Sequence, residues 1–467
     1  MFGESDEIRK FDYIIIGAGR AGISLARDLA DAGKRTALIE RKHIGGSYLN
    51  EGCTPSKTMA ASAEVMHLAK RAHEFGIQTG HVRADMTKVR QRKRDMVESF
   101  ITLYQGELVS RRDRLTLFIG HARFVGDHQV EVLTIDGDAA GMTAPSIIID
   151  AGCRPYIPDI AGLHTLEPFD TTSIMEIDRV PERLIVLGGG KLGVEFSQMF
   201  QRFGSKVTLI ERQPQVMPRE DVDVARAVVN ILREDGIRVL LASDAVLLEK
   251  GSESIRVTIS SQGVEMPIEG SDILLTLGRI PNSEGLDLEV TGVKVDAQGF
   301  IQVDEKLETS APGIYAVGDI KGGPRFTHVS RDDFRVLRAN LLRGENASIA
   351  NRIVPYAVFM DPQLGRVGIG EDEAKARGLD FKVARIGMAT VARAVEIDRA
   401  RGFMKAIVDA KTDRILGFCC LGVCAGEIMS MVEIAMMGDL PFTALRDAIF
   451  AHPTLAESLN GLFESID

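Results

Sequence analysis

The run Gly45-Gly46-Ser47-Tyr48-Leu49-Asn50-Glu51-Gly52-Cys53-Thr54-Pro55-Ser56-Lys57 carries the chain's most suggestive chemistry. Cys53 stands near an expected helix start with Lys57 one turn on, a setting that favours nucleophilic or redox sulfur chemistry. The bland alternative is an inert, buried cysteine serving as a small apolar residue. At the other end lies Ala451-His452-Pro453-Thr454-Leu455-Ala456-Glu457, where an imidazole and a carboxylate stand five residues apart. A lone histidine is usually packing, whereas one steadied by a glutamate can act as a base.

The remaining cysteines invite a metal reading, because Cys419-Cys420 with Cys424 has the spacing of a soft-metal cluster. Ile415 to Leu421 reads as a strand, however, so Cys419 and Cys420 point to opposite faces. They are expected to be core residues, and no metal site is expected.

Two copies of one pattern must position these groups. Tyr13-Ile14-Ile15-Ile16 leads into Gly17-Ala18-Gly19-Arg20-Ala21-Gly22, a helix pattern, and Thr36 to Glu40. Leu184-Ile185-Val186-Leu187 leads likewise into Gly188-Gly189-Gly190-Lys191-Leu192-Gly193, a helix pattern, and Val207 to Glu211. In both, the acid falls 23 positions after the first glycine. The spacing is that of the dinucleotide fingerprint. The first glycine makes the tight turn, the second admits the pyrophosphate, and the third packs helix on strand. The carboxylates of Glu40 and Glu211 are then expected on adenosine ribose hydroxyls.

Composition sets the frame. The 467 residues, 45% hydrophobic and 26% charged, imply two to four globular domains. A net charge of −10 argues against a nucleic-acid partner. The local basic run Lys88, Arg90, Arg92, Lys93, Arg94 falls in a helix-like stretch, Met86 to Arg112, and reads as a solvated face. No stretch reaches the roughly 18 apolar residues of a membrane helix. Met1 to Lys10 is polar and lacks a signal-peptide core. With cysteines too scattered for a disulfide framework, a cytoplasmic location is expected.

The ordered motifs, from Asp12 to about Phe463, resemble those of the pyridine nucleotide-disulfide oxidoreductases of the glutathione reductase, dihydrolipoamide dehydrogenase and mercuric reductase type. Gly322 to Asp333 looks closest to the mercuric reductase-like branch, but the chain lacks that branch's tail cysteine pair. The resemblance implies FAD held by Gly17, Gly19, Gly22, Glu40, Gly46 and Asp319. It implies NADH, or less readily NADPH, at Gly188, Gly190, Gly193, Glu211 and Gly278. Glu211 suits a free 2′-hydroxyl and repels a 2′-phosphate, an exclusion that Arg212 can soften. Lys57 and Glu195 match the family's pair beside the flavin. His452 and Glu457 match its histidine base and supporting glutamate, which serve the other subunit's site, so a homodimer is implied.

The resemblance also exposes a gap. In the family two cysteines relay electrons between flavin and substrate, whereas Tyr48 stands here in place of the first and only Cys53 remains. Tyr48 is either filler that narrows the substrate channel or a phenol that donates a proton or hydrogen bond. The leading expectation is an FAD-dependent NAD(P)H oxidoreductase serving a small-molecule acceptor that needs no dithiol, such as a quinone. A single-cysteine reductase of thiols, persulfides or peroxides through Cys53 and His452 is the alternative, and a non-catalytic redox-responsive flavoprotein a third. The expected fold is α/β, with two Rossmann-like domains and a C-terminal α+β dimerisation domain. The expected boundaries are 1–150 (FAD, first part), 151–277 (NAD(P)), 278–350 (FAD, second part) and 351–467 (interface).

Overall fold

A computed structural model describes residues 8–252 and 254–466. The chain forms two compact units, the first from residues up to 58, 88–156 and 278–352, the second from 59–87, 157–277 and 353 onward.

The first unit is built on an eight-stranded sheet. Its centre places Leu115–Gly126, Thr36–Glu40, Tyr13–Ile16, Ser146–Ile149 and Ile314–Ala316 side by side and parallel. Ile14 and Ile15 are wholly buried, as a strand covered on both faces requires. The edge is an antiparallel meander in which Leu115–Gly126 pairs with Gln129–Thr134, and that strand with Ala139–Thr143. The helix Arg20–Asp31 follows the first glycine turn and buries Ile23, Leu25 and Leu29.

In the second unit the motif recurs. Arg183–Leu187, the helix Lys191–Phe203 and Lys206–Ile210 form a strand–helix–strand element in a four-stranded parallel sheet. The pairing runs from Arg183 opposite Lys206 to Leu187 opposite Ile210. The same unit holds a five-stranded antiparallel sheet, Tyr356–Val358, Gln363–Gly368, Ile415–Gly422, Phe403–Asp409 and Phe381–Gly387. The helices Ala425–Met437 and Ser458–Glu464 share its apolar core. The expected α/β fold class holds.

Asp272 to Arg279 is a mostly apolar run but not one strand, because Asp272–Leu275 ends before Gly278, whose φ of +115° breaks the extended run. Arg279–Pro281 then pairs separately with Cys153–Pro155. The basic face of the helix Met86–Val109 is not wholly solvated, since Lys93 is buried. Lys93 lies on the helical stripe of Met86 and Val89, which turns it inward.

The last helix is held by Leu459, Leu462 and Phe463, all fully buried. Phe463 packs 5.8 Å from the Phe442 ring. Phe463→Ala is therefore expected to destabilise the second unit by about 3–5 kcal/mol, read as a lowered denaturant midpoint.

Candidate active site

The first glycine turn is shaped by what it cannot accommodate. Gly17 has φ +108°, and a Cβ there would lie 2.2 Å from the Asp150 carbonyl oxygen. At Gly19 a Cβ would meet Asp150 Oδ2 at 2.6 Å, and at Gly22 the Gly17 carbonyl oxygen at 2.2 Å. Gly46 presses on the same turn, its absent Cβ falling 2.8 Å from Gly19 Cα. Glu40 Oε2 accepts the Ala18 N–H at 2.8 Å, and Oε1 accepts those of Lys42 at 2.7 Å and His43 at 3.1 Å. The helix starting at Arg20 has no side-chain cap. Its first N–H groups therefore suit an anion such as a dinucleotide pyrophosphate.

The second turn repeats this construction. Gly188 has φ +106°, and a Cβ at Gly193 would fall 1.8 Å from the Gly188 carbonyl oxygen. A Cβ at Gly190 would meet nothing within 4 Å, so the turn is open on that side. Glu211 accepts the N–H of Gly189 at 2.6 Å and of Gln213 at 2.8 Å. The helix from Lys191 again lacks a side-chain cap.

A group of carboxylates supports the first turn, and sequence reasoning gave a role to only one of them. Asp319 lies in the turn Gly318–Lys321, directly after the strand Ile314–Ala316 and Val317, and burial pushes its carboxyl up despite the pull of Arg279 and Arg325. Asp333, fully buried, accepts the Gly318 N–H at 2.8 Å and pairs with Arg352 at 2.7 Å. Asp150 accepts the Gly22 N–H at 2.7 Å, and burial raises its carboxyl far above the usual range. The one sequence signal for Asp150 is its place at the end of an apolar strand. Gly278, at φ +115°, has open space where a Cβ would stand.

In the sulfur segment, Tyr48 lies on the short helix Gly46–Asn50, and Cys53 opens the helix Cys53–Arg71. Cys53 is exposed, its Sγ 3.3 Å from Thr327 Oγ1. The Tyr48 hydroxyl lies 2.8 Å from that of Tyr104, which accepts an Arg20 Nη1–H at 2.6 Å. The Arg20 guanidinium lies 5.6 Å from the centre of the Tyr48 ring. Burial, and then the bond to Tyr104, raise the Tyr48 phenol above its usual range. Tyr48 therefore has a polar anchor that its position in the motif did not reveal.

His452 is exposed, and its Nδ1 lies 2.9 and 3.1 Å from the two carboxylate oxygens of Glu457. Glu457 is held at the start of the buried terminal helix. Glu195 is buried and accepts the Phe359 N–H at 2.7 Å. Lys57 belongs to the first unit and Glu195 to the second. All five cysteines are free; Cys419 and Cys420 are buried, Cys424 exposed. Among the described residues no His, Cys, Asp and Glu cluster suits a metal, and no helix is long and apolar enough to cross a membrane.

Comparison with known proteins agrees with this geometry. Residues 11–333 match the family model of the pyridine nucleotide-disulphide oxidoreductases, and residues 354–462 that of the same family's dimerisation domain. A probable pyridine nucleotide-disulfide oxidoreductase, RclA of Escherichia coli, is 36% identical, covering 98% of this chain and all of the relative. Dihydrolipoyl dehydrogenase of Thermus scotoductus is 33% identical, covering 98% of each chain. The solved Cu(II) complex of the HOCl-induced flavoprotein disulfide reductase RclA from E. coli superposes with a TM-score of 0.90 at 35% identity, over 98% of this chain and all of that one. The chain belongs to the pyridine nucleotide-disulfide oxidoreductases and is an FAD-dependent enzyme of pyridine nucleotides. The two crowded glycine turns, uncapped helix starts and buried carboxylates fit those cofactors.

Asp150 generates a test. A carboxyl whose folded pKa is raised binds its proton more tightly in the folded state. Its burial therefore costs nothing below the unfolded value and progressively more as pH rises above it. Asp150→Asn keeps an oxygen for the Gly22 N–H without that cost. The variant apoprotein is expected to melt higher than the parent at about pH 8, the difference shrinking toward about pH 4.

Proposed function

We propose that the enzyme oxidises NADH and delivers the electrons to a small acceptor that requires no dithiol, a quinone being the model substrate. The observation that carries this reading is Tyr48, anchored to Tyr104 and Arg20 where the family's exchange thiol would stand. Cys53 then has no partner for an internal disulfide. Bound FAD supplies the two-electron carrier between nicotinamide and acceptor.

The chain's own groups divide the remaining work. The first turn, with Gly17, Gly19, Gly22, Gly46, Glu40 and Asp319, holds FAD. The second, with Gly188, Gly190, Gly193, Glu211 and Gly278, holds the nicotinamide cofactor. NADH is preferred over NADPH because a 2′-phosphate would crowd the carboxylate of Glu211, which is fixed by two backbone N–H groups. Lys57 serves beside the flavin, in a division of 1–150, 151–277, 278–350 and 351–467 into FAD, NAD, FAD and interface segments. The phenol of Tyr48, kept protonated by burial and by donating to Tyr104 in the free site, turns that hydrogen to the acceptor oxygen when the acceptor binds. His452, steadied by Glu457, moves protons at the other subunit's site in a homodimer. The exposed Ile434, Met437 and Ile449 of the second unit support such an interface. Free thiols throughout accord with a cytoplasmic setting.

A second reading, single-thiol reduction through Cys53, is supported by that residue's exposure and its contact with the Thr327 hydroxyl. NADH oxidation measured with a benzoquinone and with glutathione disulfide separates the two. On the leading reading, quinone turnover survives Cys53→Ser and disulfide turnover is negligible in both forms. Efficient disulfide reduction that disappears in Cys53→Ser would overturn it. Tyr48→Phe is expected to lower kcat for the quinone about tenfold with little change in NADH affinity, whereas a filler role would leave kcat unchanged.

A further inference from the structure

The two glycine turns share a feature that the fingerprint does not require. The first residue of each helix is a cation, Arg20 in one and Lys191 in the other, and each is held against tyrosine. Arg20 donates to Tyr104, and Lys191 Nζ rests 3.2 Å from the centre of the Tyr356 ring. The Tyr356 hydroxyl bonds Glu220, whose other oxygen accepts an Arg366 Nη1–H at 2.8 Å. The lysine thus lies on a tyrosine whose position is fixed from behind by a buried ion pair.

Lys191 immediately follows Gly190, on the open side of the turn, at a helix start with no side-chain cap. An ammonium at this point can rest on the face of Tyr356 or turn to a phosphate brought to the helix start. A charge-assisted bond to phosphate is the stronger of the two.

We propose that Lys191 is a switching counter-ion for the nicotinamide cofactor's pyrophosphate, resting on Tyr356 in the free site and turning to the phosphates on binding. The proposal rests on the reading that the second turn holds that cofactor. It makes Lys191 a binding residue and Tyr356 a positioning residue. A pH dependence accompanies the switch. Burial lowers the Lys191 amine to about 8, opposed by Glu220, reinforced by Arg219 and Arg366, and opposed by Glu195 on its own helix. Phosphate raises it again, so binding takes up a proton and affinity is lost as pH climbs through that value.

The test is equilibrium titration of the oxidised holoenzyme with NAD⁺ and with ADP-ribose, for the parent, Lys191→Met, Lys191→Arg and Tyr356→Ala. Thermal melting and flavin content verify the fold. Lys191→Met is expected to weaken both ligands about tenfold near neutral pH and to flatten the loss of affinity between about pH 7 and 9. Lys191→Arg restores the affinity and holds it at the alkaline end, because guanidinium stays charged. Tyr356→Ala moves the alkaline loss to higher pH. Parent-like affinity and pH profile in Lys191→Met would overturn the lysine's role while leaving the cofactor assignment standing. A folded, flavin-loaded parent that binds neither ligand would overturn both.

Discussion

Main chain packed against main chain is the constraint from which the first unit's site follows. At Gly17, Gly19 and Gly22 the backbone passes so near the end of the strand Ser146–Ile149 that a Cβ would enter an Asp150 atom or the turn's own carbonyl. This closeness lets the helix Arg20–Asp31 begin directly on the sheet and aims its first N–H groups outward. Glu40 and Asp150 complete the turn by accepting the N–H groups of Ala18 and Gly22. The acid of the fingerprint is therefore a structural acceptor, and Glu211 does the same at the second turn.

The fingerprint was legible because its requirements are local. Glycine spacing, the apolar strand before it and the acid after it all fall within one strand–helix–strand unit, and its strands are near-continuous apolar runs, as strands covered on both faces require. Asp150 carries no mark beyond ending an apolar strand, since its partner Gly22 is 128 residues away in sequence. Tyr104 escaped for the same reason, lying 56 residues beyond Tyr48 on a helix whose charged pattern suggested only a solvated face. Thr327, opposite Cys53, falls within a family-like segment with nothing to mark its hydroxyl. Side-chain partners from distant elements leave no periodic trace, so the site's framework was readable and its electrostatic detail was not.

Ion pairs inside the second unit give its antiparallel sheet a fixed place beside the segment that follows the second fingerprint. Arg366 pairs with Glu220, and Lys405 contacts Asp221 at 2.7 Å, Asp223 at 2.8 Å and Glu371 at 3.3 Å. Such pairs add little net stability over apolar packing, but removal of one partner leaves a buried charge that costs about 3–5 kcal/mol. Geometric fixity is the better account of their presence. They hold Tyr356 where it meets Lys191, so this sheet also shapes the start of the helix after the second glycine turn.

Replacing a thiol by a phenol changes more than size. A thiol exchanges covalently and must be free to move toward sulfur, whereas Tyr48 is tied to Tyr104 and, through it, to the helix that begins at the first glycine turn. A side chain so restrained, and kept protonated by burial, is suited to donating a hydrogen bond from a fixed point and unsuited to shuttling. Cys53 remains exposed, its sulfur 3.3 Å from the Thr327 hydroxyl. The architecture thus pairs an immobile donor with a solitary thiol. That combination favours an acceptor reduced in place over a substrate passed from one sulfur to another.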